Sequence, residues 1–278
     1  MKPRKVSVRS IEEFLQIAMN LPRQQWVFRG HSYASWEIES TAKRFFRHNE
    51  KNIYKRYFSG REMEAVRKFQ RTAHQFLNLV PDESDTLGWL TLMRHYGAPT
   101  RLIDFTYSPI TALFFAYSDQ LREFERSACV HAIQVDSVMM RSLEVLQKKR
   151  VDDLAPNDFF GNPKNDEILD YVALFDGKWN TPRQSAQQGL FMVTSRIDTD
   201  VNGYLESCPP LKKLSDNEPW LIFEFPRGRE FHRQVVRYLL SANQTHETLY
   251  PGLEGLAQSL AMKLYEPLPL TRRVFRGD

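Results

Sequence analysis

The first residues with the potential for chemistry surround an arginine at the end of a short apolar run. Arg29 follows the letters WVF and precedes Gly30. A guanidinium can bind phosphate oxygens bidentately, and a neighbouring glycine lets a ligand or another backbone approach closely. An ion pair between Arg29 and a carboxylate at a turn is the structural alternative. The pattern therefore offers Arg29 and Gly30 as candidates for binding an anion.

The longest stretch of this kind runs from Met93 to Tyr117 and reads MRHYGAPTRLIDFTYSPITALFFAY. Gly97 suits the left-handed position that ends a helix, and Pro99 prevents the helix from resuming. Ser108 and Pro109 form a helix start, with the serine hydroxyl as N-cap and the proline at the first helical position. The helix that follows is apolar on nearly all sides and must be buried. Its N-terminus adds backbone N–H groups, which attract anions.

Five polar residues in this stretch are candidates for a site. Arg101 could hold an anion, or it could form an internal ion pair with Asp104 that stabilises the loop. Thr106 and Ser108 carry hydroxyls that could position a ribose or a nicotinamide, although the N-cap role already accounts for Ser108. His95 lies one turn before the helix end, where a histidine commonly bonds to a carbonyl oxygen.

Two later segments add amides and carboxylates. Gln187 and Gln188 precede Gly189 at the start of a predicted strand. A glutamine is neutral, so it can orient a substrate but is not a strong base. Glu224 alternates with apolar residues in the strand-like run WLIFEF, and Glu254 lies in the segment YPGLEG. Surface exposure is the default expectation for both carboxylates.

The composition is that of an ordinary globular protein. The 278 residues are 42% hydrophobic and 26% charged, with a net charge of +4, and a chain of this length can bury a sizeable core. Cys129 and Cys208 lie far apart, which fits a reducing cytoplasm. The seven histidines and two cysteines show no metal-ligand spacing, so we expect no metal. The basic N-terminus leads into no apolar run and no run is long enough to span a bilayer, so neither a signal peptide nor a membrane partner is expected.

Positive charge is concentrated between residues 41 and 61. Seven basic residues in this segment face a single acid, Glu50; they are Lys43, Arg44, Arg47, Lys51, Lys55, Arg56 and Arg61. Such a cluster suits the phosphates of a nucleic acid or a nucleotide. A solvated helical face is the alternative interpretation.

Hydrophobic periodicity predicts helices at residues 11–20, 61–80, 86–96, 137–149, 230–241 and 255–264, with another near 167–174. Strands are predicted at 26–30, 129–135, 188–194 and 220–225, and a strand or turn is predicted at 101–106. Residues 31–48 are predicted as loop with a short helix, and 150–186 as mostly loop. Because helices and strands are mixed without a regular βαβ rhythm, we predict an α+β fold with mainly antiparallel small sheets and surrounding helices.

Several of these segments together resemble the FRG domain family, which is named after a Phe-Arg-Gly motif. The segments are Phe28-Arg29-Gly30, HYGAPTRLID from residue 95, SPITALFFA from residue 108, QGLF from residue 188 and YPGLEG from residue 250. The resemblance covers roughly residues 20–260 and implies one FRG-like domain over residues 1–278. Members of the family occur largely in bacteria and phages, often in defence-related contexts, so the resemblance also implies a role in phage defence.

The order of these segments is similar to that of the mono-ADP-ribosyltransferases. The similarity implies that Arg29 holds the diphosphate of NAD and that the hydroxyls of Thr106 and Ser108 fix the nicotinamide ribose. Gly30, His95 and Arg101 complete the predicted cofactor-binding set. Gln187 or Gln188 falls near the position of a later Gln or Glu pair. Since no glutamate stands there, Glu224 or Glu254 would supply the catalytic carboxylate. NAD would be the substrate, and its nicotinamide–ribose bond would break through an oxocarbenium-like transition state.

Three functional hypotheses stay open at this point. The first is an ADP-ribosyltransferase or NAD glycohydrolase, with a protein or a nucleic acid as acceptor. The second is a protein that binds or processes nucleic acids through the basic segment of residues 43–61. The third is a non-catalytic sensing module in which the polar cluster is structural.

Overall fold

Seven strands form one sheet at the centre of the protein, for which the computed structural model describes residues 2–49, 58–118, 127–148, 170–177, 181–210 and 218–265. The strands are β1 (Arg4–Ser7), β2 (Trp26–His31), β3 (Leu102–Thr106), β4 (Cys129–Gln134), β5 (Val172–Phe175), β6 (Gly189–Thr194) and β7 (Trp220–Glu224). Their order across the sheet is β1-β7-β4-β2-β3-β6-β5. Only the pair of β1 and β7 is parallel. The predicted α+β class with mainly antiparallel pairing is confirmed, and the strands join one sheet rather than several small ones.

Eleven helices surround the sheet within the described residues. They are α1 (Ile11–Asn20), α2 (Thr41–Asn49), α3 (Phe58–Ala73), α4 (Thr86–His95), α5 (Pro109–Tyr117), α6 (Val135–Lys148), α7 (Pro182–Gln187), α8 (Val201–Glu206), α9 (Arg229–Ser241), α10 (His246–Leu249) and α11 (Leu253–Tyr265). Their apolar residues form two clusters, one on each face of the sheet. Helices α3, α4 and α6 pack on one face, and α1, α5 and α9 on the other.

Strand alternation distributes the side chains between these two cores. On β2, Val27 belongs to the core with α4, whereas Phe28 belongs to the core with α5. Successive residues of a strand point to opposite faces. Arg29 therefore projects to the same side as Val27, away from α5.

Gly30 explains how closely α5 approaches β2. A Cβ atom added to Gly30 would lie 2.0 Å from the carbonyl oxygen of Ala112 and 2.6 Å from the backbone nitrogen of Ala116. Both atoms belong to the backbone of α5, so no side-chain movement could make room. Because Gly30 has no side chain, the backbone of α5 can pack closely against β2. Of the two roles predicted for this glycine, close approach of a ligand or of another backbone, this is the second.

Most predicted elements are confirmed. The helix predicted at residues 11–20 is α1, and the strands predicted at 26–30 and 188–194 are β2 and β6. Local signals account for this agreement. The Ser10 hydroxyl accepts a hydrogen bond from the backbone N–H of Glu13 at 3.2 Å, as an N-cap does. Gly97 has a φ of +84° just after α4, as its predicted helix-ending role requires.

Other predictions were wrong in instructive ways. Residues 172–174 are in β5 rather than a helix, because pairing with β6 supplies their backbone hydrogen bonds; residues 167–169 lie outside the described part. The helix predicted to reach residue 80 ends at Ala73. Helix α7 falls in a region predicted as mostly loop, although its capping box between Thr181 and Gln184 is a local signal. Strand β1 was not predicted, since its pairing partner β7 lies far away in sequence.

Replacing Gly30 with alanine should destabilise the fold by about 3 kcal/mol or more, because the backbone of α5 would have to move away from the sheet. Urea unfolding measures this change. Gly60→Ala is the matched control, since a Cβ added there meets nothing within 4 Å; in a helix it should be neutral or stabilise by about 0.5–1 kcal/mol. Equal stability of the Gly30→Ala variant and the wild type would contradict the packing account.

Candidate functional site

A cleft of about 1030 Å³ opens beside β2 and β3. Its lining comes from these strands, from the loop of residues 32–40, and from the helices α2, α4, α5, α7, α10 and α11 together with the residues at their ends. Ligand-binding pockets commonly measure about 300–1,000 Å³. The cleft is therefore at the upper end of the size range for a small-molecule site.

Arg29 lies in this cleft and is held by two neutral acceptors. Its Nε donates to Nε2 of His31 at 2.9 Å, and its Nη1 donates to the backbone carbonyl of Asp104 at 2.6 Å. Among the described residues, no carboxylate oxygen lies within ion-pairing distance of the guanidinium. Burial lowers the pKa of Arg29 to about 10, against the attraction of Asp104, so the group stays positive at neutral pH. The ion pair between Arg29 and a carboxylate, predicted as the structural alternative, is therefore not present among the described residues.

The carboxylate of Asp104 is bound by Arg94 instead. Nε of Arg94 donates to Oδ2 of Asp104 at 3.0 Å, and Nη2 donates to the same oxygen at 2.5 Å. Burial alone would raise the pKa of Asp104, but Arg94 and, more weakly, Arg29 lower it below its usual value. Asp104 is therefore ionised at neutral pH, and its charge is already matched by Arg94.

A second carboxylate in the cleft, Glu39, has one unsatisfied oxygen. The residue is 7% exposed. Its Oε1 lies 3.1 Å from Nη2 of Arg47 and 3.6 Å from Nε of Arg44. Its Oε2 is buried and has no hydrogen-bond partner in the described part of the protein. A buried acceptor without a donor is costly, so it is an expected place for a ligand hydroxyl or amide to bind.

Positive charge predominates in the lining. Five arginines face three carboxylates; they are Arg29, Arg44, Arg47, Arg94 and Arg183, against Glu37, Glu39 and Asp104. A concave surface with low-dielectric walls concentrates this potential. The cleft is accordingly suited to an anion.

Arg183 projects from the first turn of α7 and connects three segments. Its guanidinium carbon lies 4.3 Å from the centroid of the Tyr250 ring, a cation–π distance. Its Nη1 donates to the carbonyl oxygen of His95 at 3.4 Å. These contacts bring α7 and the end of α10 to the same cleft as β2.

Arg101, predicted to bind an anion or to pair with Asp104, does neither. It is 1% exposed. Its Nε donates to Oε2 of Glu62 at 2.5 Å, and its Nη1 donates to the carbonyl oxygen of Ser195 at 2.6 Å. Residues three apart in an extended run project to opposite sides, which separates Arg101 from Asp104. Instead of the predicted pair of Arg101 with Asp104, the structure has two separate ion pairs. Arg101 pairs with Glu62 in the core, and Arg94 pairs with Asp104 in the cleft.

The hydroxyls of Thr106 and Ser108 both form hydrogen bonds with backbone groups. Oγ1 of Thr106 donates to the carbonyl oxygen of Gln187 at 2.7 Å and accepts from the N–H of Ser108 at 2.9 Å. Oγ of Ser108 accepts from the N–H of Thr111 at 3.1 Å, which is the predicted N-cap bond. Thr106 still lines the cleft, whereas Ser108 and His95 are not in its lining.

The other predicted site residues lie apart from Arg29. Gln188 is the left-handed C-cap of α7, with a φ of 47°, and its neighbour Gln187 lines the cleft. Glu224 is bound by Lys5 at 2.7 Å on the far side of β4 from β2. Glu254 is exposed on α11, where its carboxylate accepts from Gln258. Neither glutamate lines the cleft.

Behind Arg29, three side chains place potential metal-ligand atoms within 4.8 Å of one another: His31, Cys129 and His131. Their hydrogen bonds favour a structural role. Nε1 of Trp220 donates to Nδ1 of His131 at 3.2 Å, so the proton of that ring is on Nε2, beside the Cys129 sulfur at 3.5 Å. Burial raises the pKa of the Cys129 thiol to about 12.

The basic segment of residues 43–61 is only partly described. Lys51, Lys55 and Arg56 lie outside the described residues. Nζ of Lys43 donates to the carbonyl oxygen of Thr199 at 2.9 Å, and Arg44 and Arg47 approach Glu39. At least these three basic side chains are used within the protein, so the segment is more than a solvated face.

Sequence reasoning missed several residues of the cleft, namely Trp36, Glu39, Arg94 and Arg183. Two of them, Arg94 and Arg183, stand at helix ends that local sequence signals mark. Arg94 stands in the last turn of α4, where basic residues are common for the helix dipole alone. Arg183 follows the Thr-Pro start of α7, a short helix that was not predicted. Glu39 and Trp36 lie in an irregular loop, where periodicity carries no information.

Comparisons with known proteins identify one segment. Residues 24–125 match the family model of the FRG domain. These residues supply β2, β3, α5 and most of the cleft lining. No curated protein and no solved structure matches the chain. None of the helices in the described ranges has the length and apolar character needed to cross a bilayer.

The two arginines make opposite predictions for stability. Arg101→Met leaves Glu62 buried without its partner and should cost about 3–5 kcal/mol. Arg29→Met removes hydrogen bonds to neutral acceptors only and should cost less than about 2 kcal/mol. Urea unfolding of both variants measures the difference. The double variant Arg101→Met with Glu62→Leu should recover most of the loss, since it removes both charges. A larger loss for Arg29→Met than for Arg101→Met would contradict these assignments.

Stability should also depend on pH through His131. Burial and the nearby Arg29 lower the pKa of His131 to about 3, whereas in the unfolded chain a histidine titrates near pH 6.5. Between these values the unfolded state binds more protons. The free energy of unfolding therefore falls as the pH is lowered, by about 1.4 kcal/mol per pH unit for this group.

The contribution of His131 is isolated by comparison with His131→Gln. Chemical unfolding is measured for both proteins between about pH 7 and pH 4. The variant is expected to be the less stable one at neutral pH, with a difference that narrows as the pH falls. Parallel curves for the two proteins would show that His131 is not held neutral by the fold.

Proposed function

From the FRG domain at residues 24–125 and the arginine-lined cleft built on it, we propose that this protein binds NAD and breaks its nicotinamide–ribose bond. The observation that carries the proposal is the state of Arg29. Its guanidinium is fixed in the cleft by His31 and by the carbonyl of Asp104, with no carboxylate partner among the described residues. A diphosphate would supply the missing negative charge.

The electrostatics of the cleft support a dianionic ligand. Arg94 is matched by Asp104, and Arg44 and Arg47 share Glu39. This leaves a net positive lining in which neither Arg29 nor Arg183 is paired with a carboxylate among the described residues. Charge-assisted hydrogen bonds from arginine to phosphate are among the stronger polar contacts in proteins.

The size and shape of the cleft support a ligand larger than a single phosphate. Its volume of about 1030 Å³ reaches the upper end of the range for cofactor sites. Aromatic side chains line it together with the arginines; they are Phe28, Trp36, Phe105, Phe115 and Tyr250. A dinucleotide combines charged phosphates with flat rings, and this lining offers partners for both.

Glu39 is the carboxylate that we assign to bond cleavage, in place of Glu224 and Glu254. Breaking the glycosidic bond sends its electron pair to nicotinamide and leaves a positive charge on the ribose. A carboxylate stabilises that charge, as in glycoside hydrolysis. Glu39 lines the cleft and is largely buried, and its Oε2 lacks a partner.

The ribose cation is then captured by an oxygen or nitrogen nucleophile that loses a proton. Water as nucleophile gives ADP-ribose, and a side chain or a base gives an ADP-ribosylated protein or nucleic acid. Arg44 and Arg47 of α2, which line the cleft, suit an acidic or nucleic-acid acceptor. In this proposal, the basic segment serves the acceptor rather than an independent nucleic-acid function.

Chromatographic detection of nicotinamide after incubation with NAD tests the proposal, together with calorimetric binding of ADP-ribose. The wild type should bind ADP-ribose and release nicotinamide. Arg29→Gln should weaken ADP-ribose binding by roughly 10- to 100-fold, since it removes a charge-assisted contact. A wild type that neither binds ADP-ribose nor releases nicotinamide would refute the proposal.

The carboxylate assignment has its own test. Glu39→Gln should retain ADP-ribose binding within a few-fold and reduce nicotinamide release by roughly 100-fold, the scale of a lost transition-state contact. Glu254→Gln is the matched control, because Glu254 is exposed on α11, and its activity should equal that of the wild type. The opposite result, loss of activity only in Glu254→Gln, would return the catalytic role to Glu254.

A further inference from the structure

Trp36 is the most exposed tryptophan in the described part of the protein. Of the four tryptophans in the described residues, the other three are at most 5% exposed, whereas Trp36 is 47% exposed. It lines the cleft that contains Arg29. An exposed aromatic side chain in a concave polar site commonly marks a place where a ligand ring packs.

Backbone hydrogen bonds and one ring contact position Trp36 in its loop. The backbone N–H of Trp36 donates to the carbonyl of Tyr33 at 3.0 Å, which closes a turn, and the N–H of Ala34 donates to the carbonyl of Ser127 at 2.7 Å. The centroids of the Tyr33 and Trp36 rings are 4.4 Å apart, with their planes at 36°. Tyr33 thus supports the indole, and a large part of the indole surface stays available for a further ring.

His31 connects this ring to the proposed phosphate site. The imidazole lies edge-on to Trp36 with centroids 6.2 Å apart, and its Nε2 accepts the hydrogen bond from Arg29. Burial and the neighbouring Arg29 lower the pKa of His31 well below its usual value, so the link between them is uncharged. The aromatic surface and the guanidinium are therefore neighbours in one cleft, as the base and phosphate of a nucleotide are.

We propose that Trp36 is the platform on which the adenine ring of the nucleotide stacks. The proposal rests on the function given above and adds the subsite that distinguishes a nucleotide from a simple phosphate. Stacking on an aromatic side chain suits any base, because every base has a π-face. The affinity of the cleft for adenine nucleotides then comes from Trp36, and its affinity for phosphate from Arg29.

Adenine fits this position better than nicotinamide does. The ring that is released must lie where water is excluded, because water competes for the reactive ribose. Trp36 is half exposed, whereas His31 and Glu39 are buried at 4% and 7%. The end of the ligand that reacts therefore belongs beside Glu39, and the end that does not react belongs on Trp36.

Isothermal titration calorimetry with three probes tests the proposal: ADP-ribose, ribose 5-phosphate and nicotinamide mononucleotide. Trp36→Ala should bind ADP-ribose roughly 5- to 100-fold more weakly than the wild type, the scale of one lost base stack. Its affinity for ribose 5-phosphate and for nicotinamide mononucleotide should change by less than about twofold, since neither contains adenine. Trp36→Phe should recover most of the affinity for ADP-ribose.

Phe76→Ala is the matched control, because Phe76 is an exposed aromatic side chain outside the cleft lining, 80% exposed. It should bind all three probes as the wild type does. Equal ADP-ribose affinity of Trp36→Ala and the wild type would overturn the adenine subsite while leaving the phosphate site intact. A selective loss for nicotinamide mononucleotide would overturn the assignment to adenine. A wild type that binds none of the probes would instead refute the proposed function itself.

Discussion

One constraint organises the site: a guanidinium is placed in a cleft with neutral acceptors as its immediate partners. Arg29 could have been neutralised by Asp104, whose backbone carbonyl it contacts. The carboxylate of Asp104 is instead taken by Arg94 from the end of α4. Burial of a charge is unfavourable, and here it lowers the pKa of Arg29 to about 10 despite the attraction of Asp104. A fold that maintains this arrangement keeps a positive charge ready for an anion.

Neighbouring elements position Arg29 and surround its guanidinium. Gly30 lets α5 press against β2 from one side, which fixes the strand that carries Arg29. The chain from Trp220 through His131 to Cys129 fills the space behind the guanidinium with neutral groups. Arg101, by contrast, is buried in the core, where Glu62 binds its guanidinium. The two arginines differ in the partners that the fold provides.

Local sequence signals predicted much of the fold and some of the site. Caps, glycines and apolar periodicity predicted α1, β2 and α5, and the FRG motif drew attention to Arg29. Of the three acids in the cleft, Glu39 was not predictable, since it lies in a loop whose position depends on contacts distant in sequence. The pairing of Arg101 was missed for a related reason: its partner Glu62 is 39 residues away, whereas Asp104 was close in sequence but on the other side of the chain. Strand β5 was predicted as a helix. Its backbone hydrogen bonds come from β6, a later segment, and this pairing is not visible in the local sequence.

A crystal structure of the protein soaked with ADP-ribose tests the central claim most directly, because it shows where the diphosphate lies. The account predicts diphosphate oxygens within hydrogen-bonding distance of the Arg29 guanidinium, with the hydrogen bonds from Arg29 to His31 and to the carbonyl of Asp104 retained. A diphosphate bound away from Arg29, or an Arg29 that turns to a carboxylate while the ligand binds elsewhere, would contradict it.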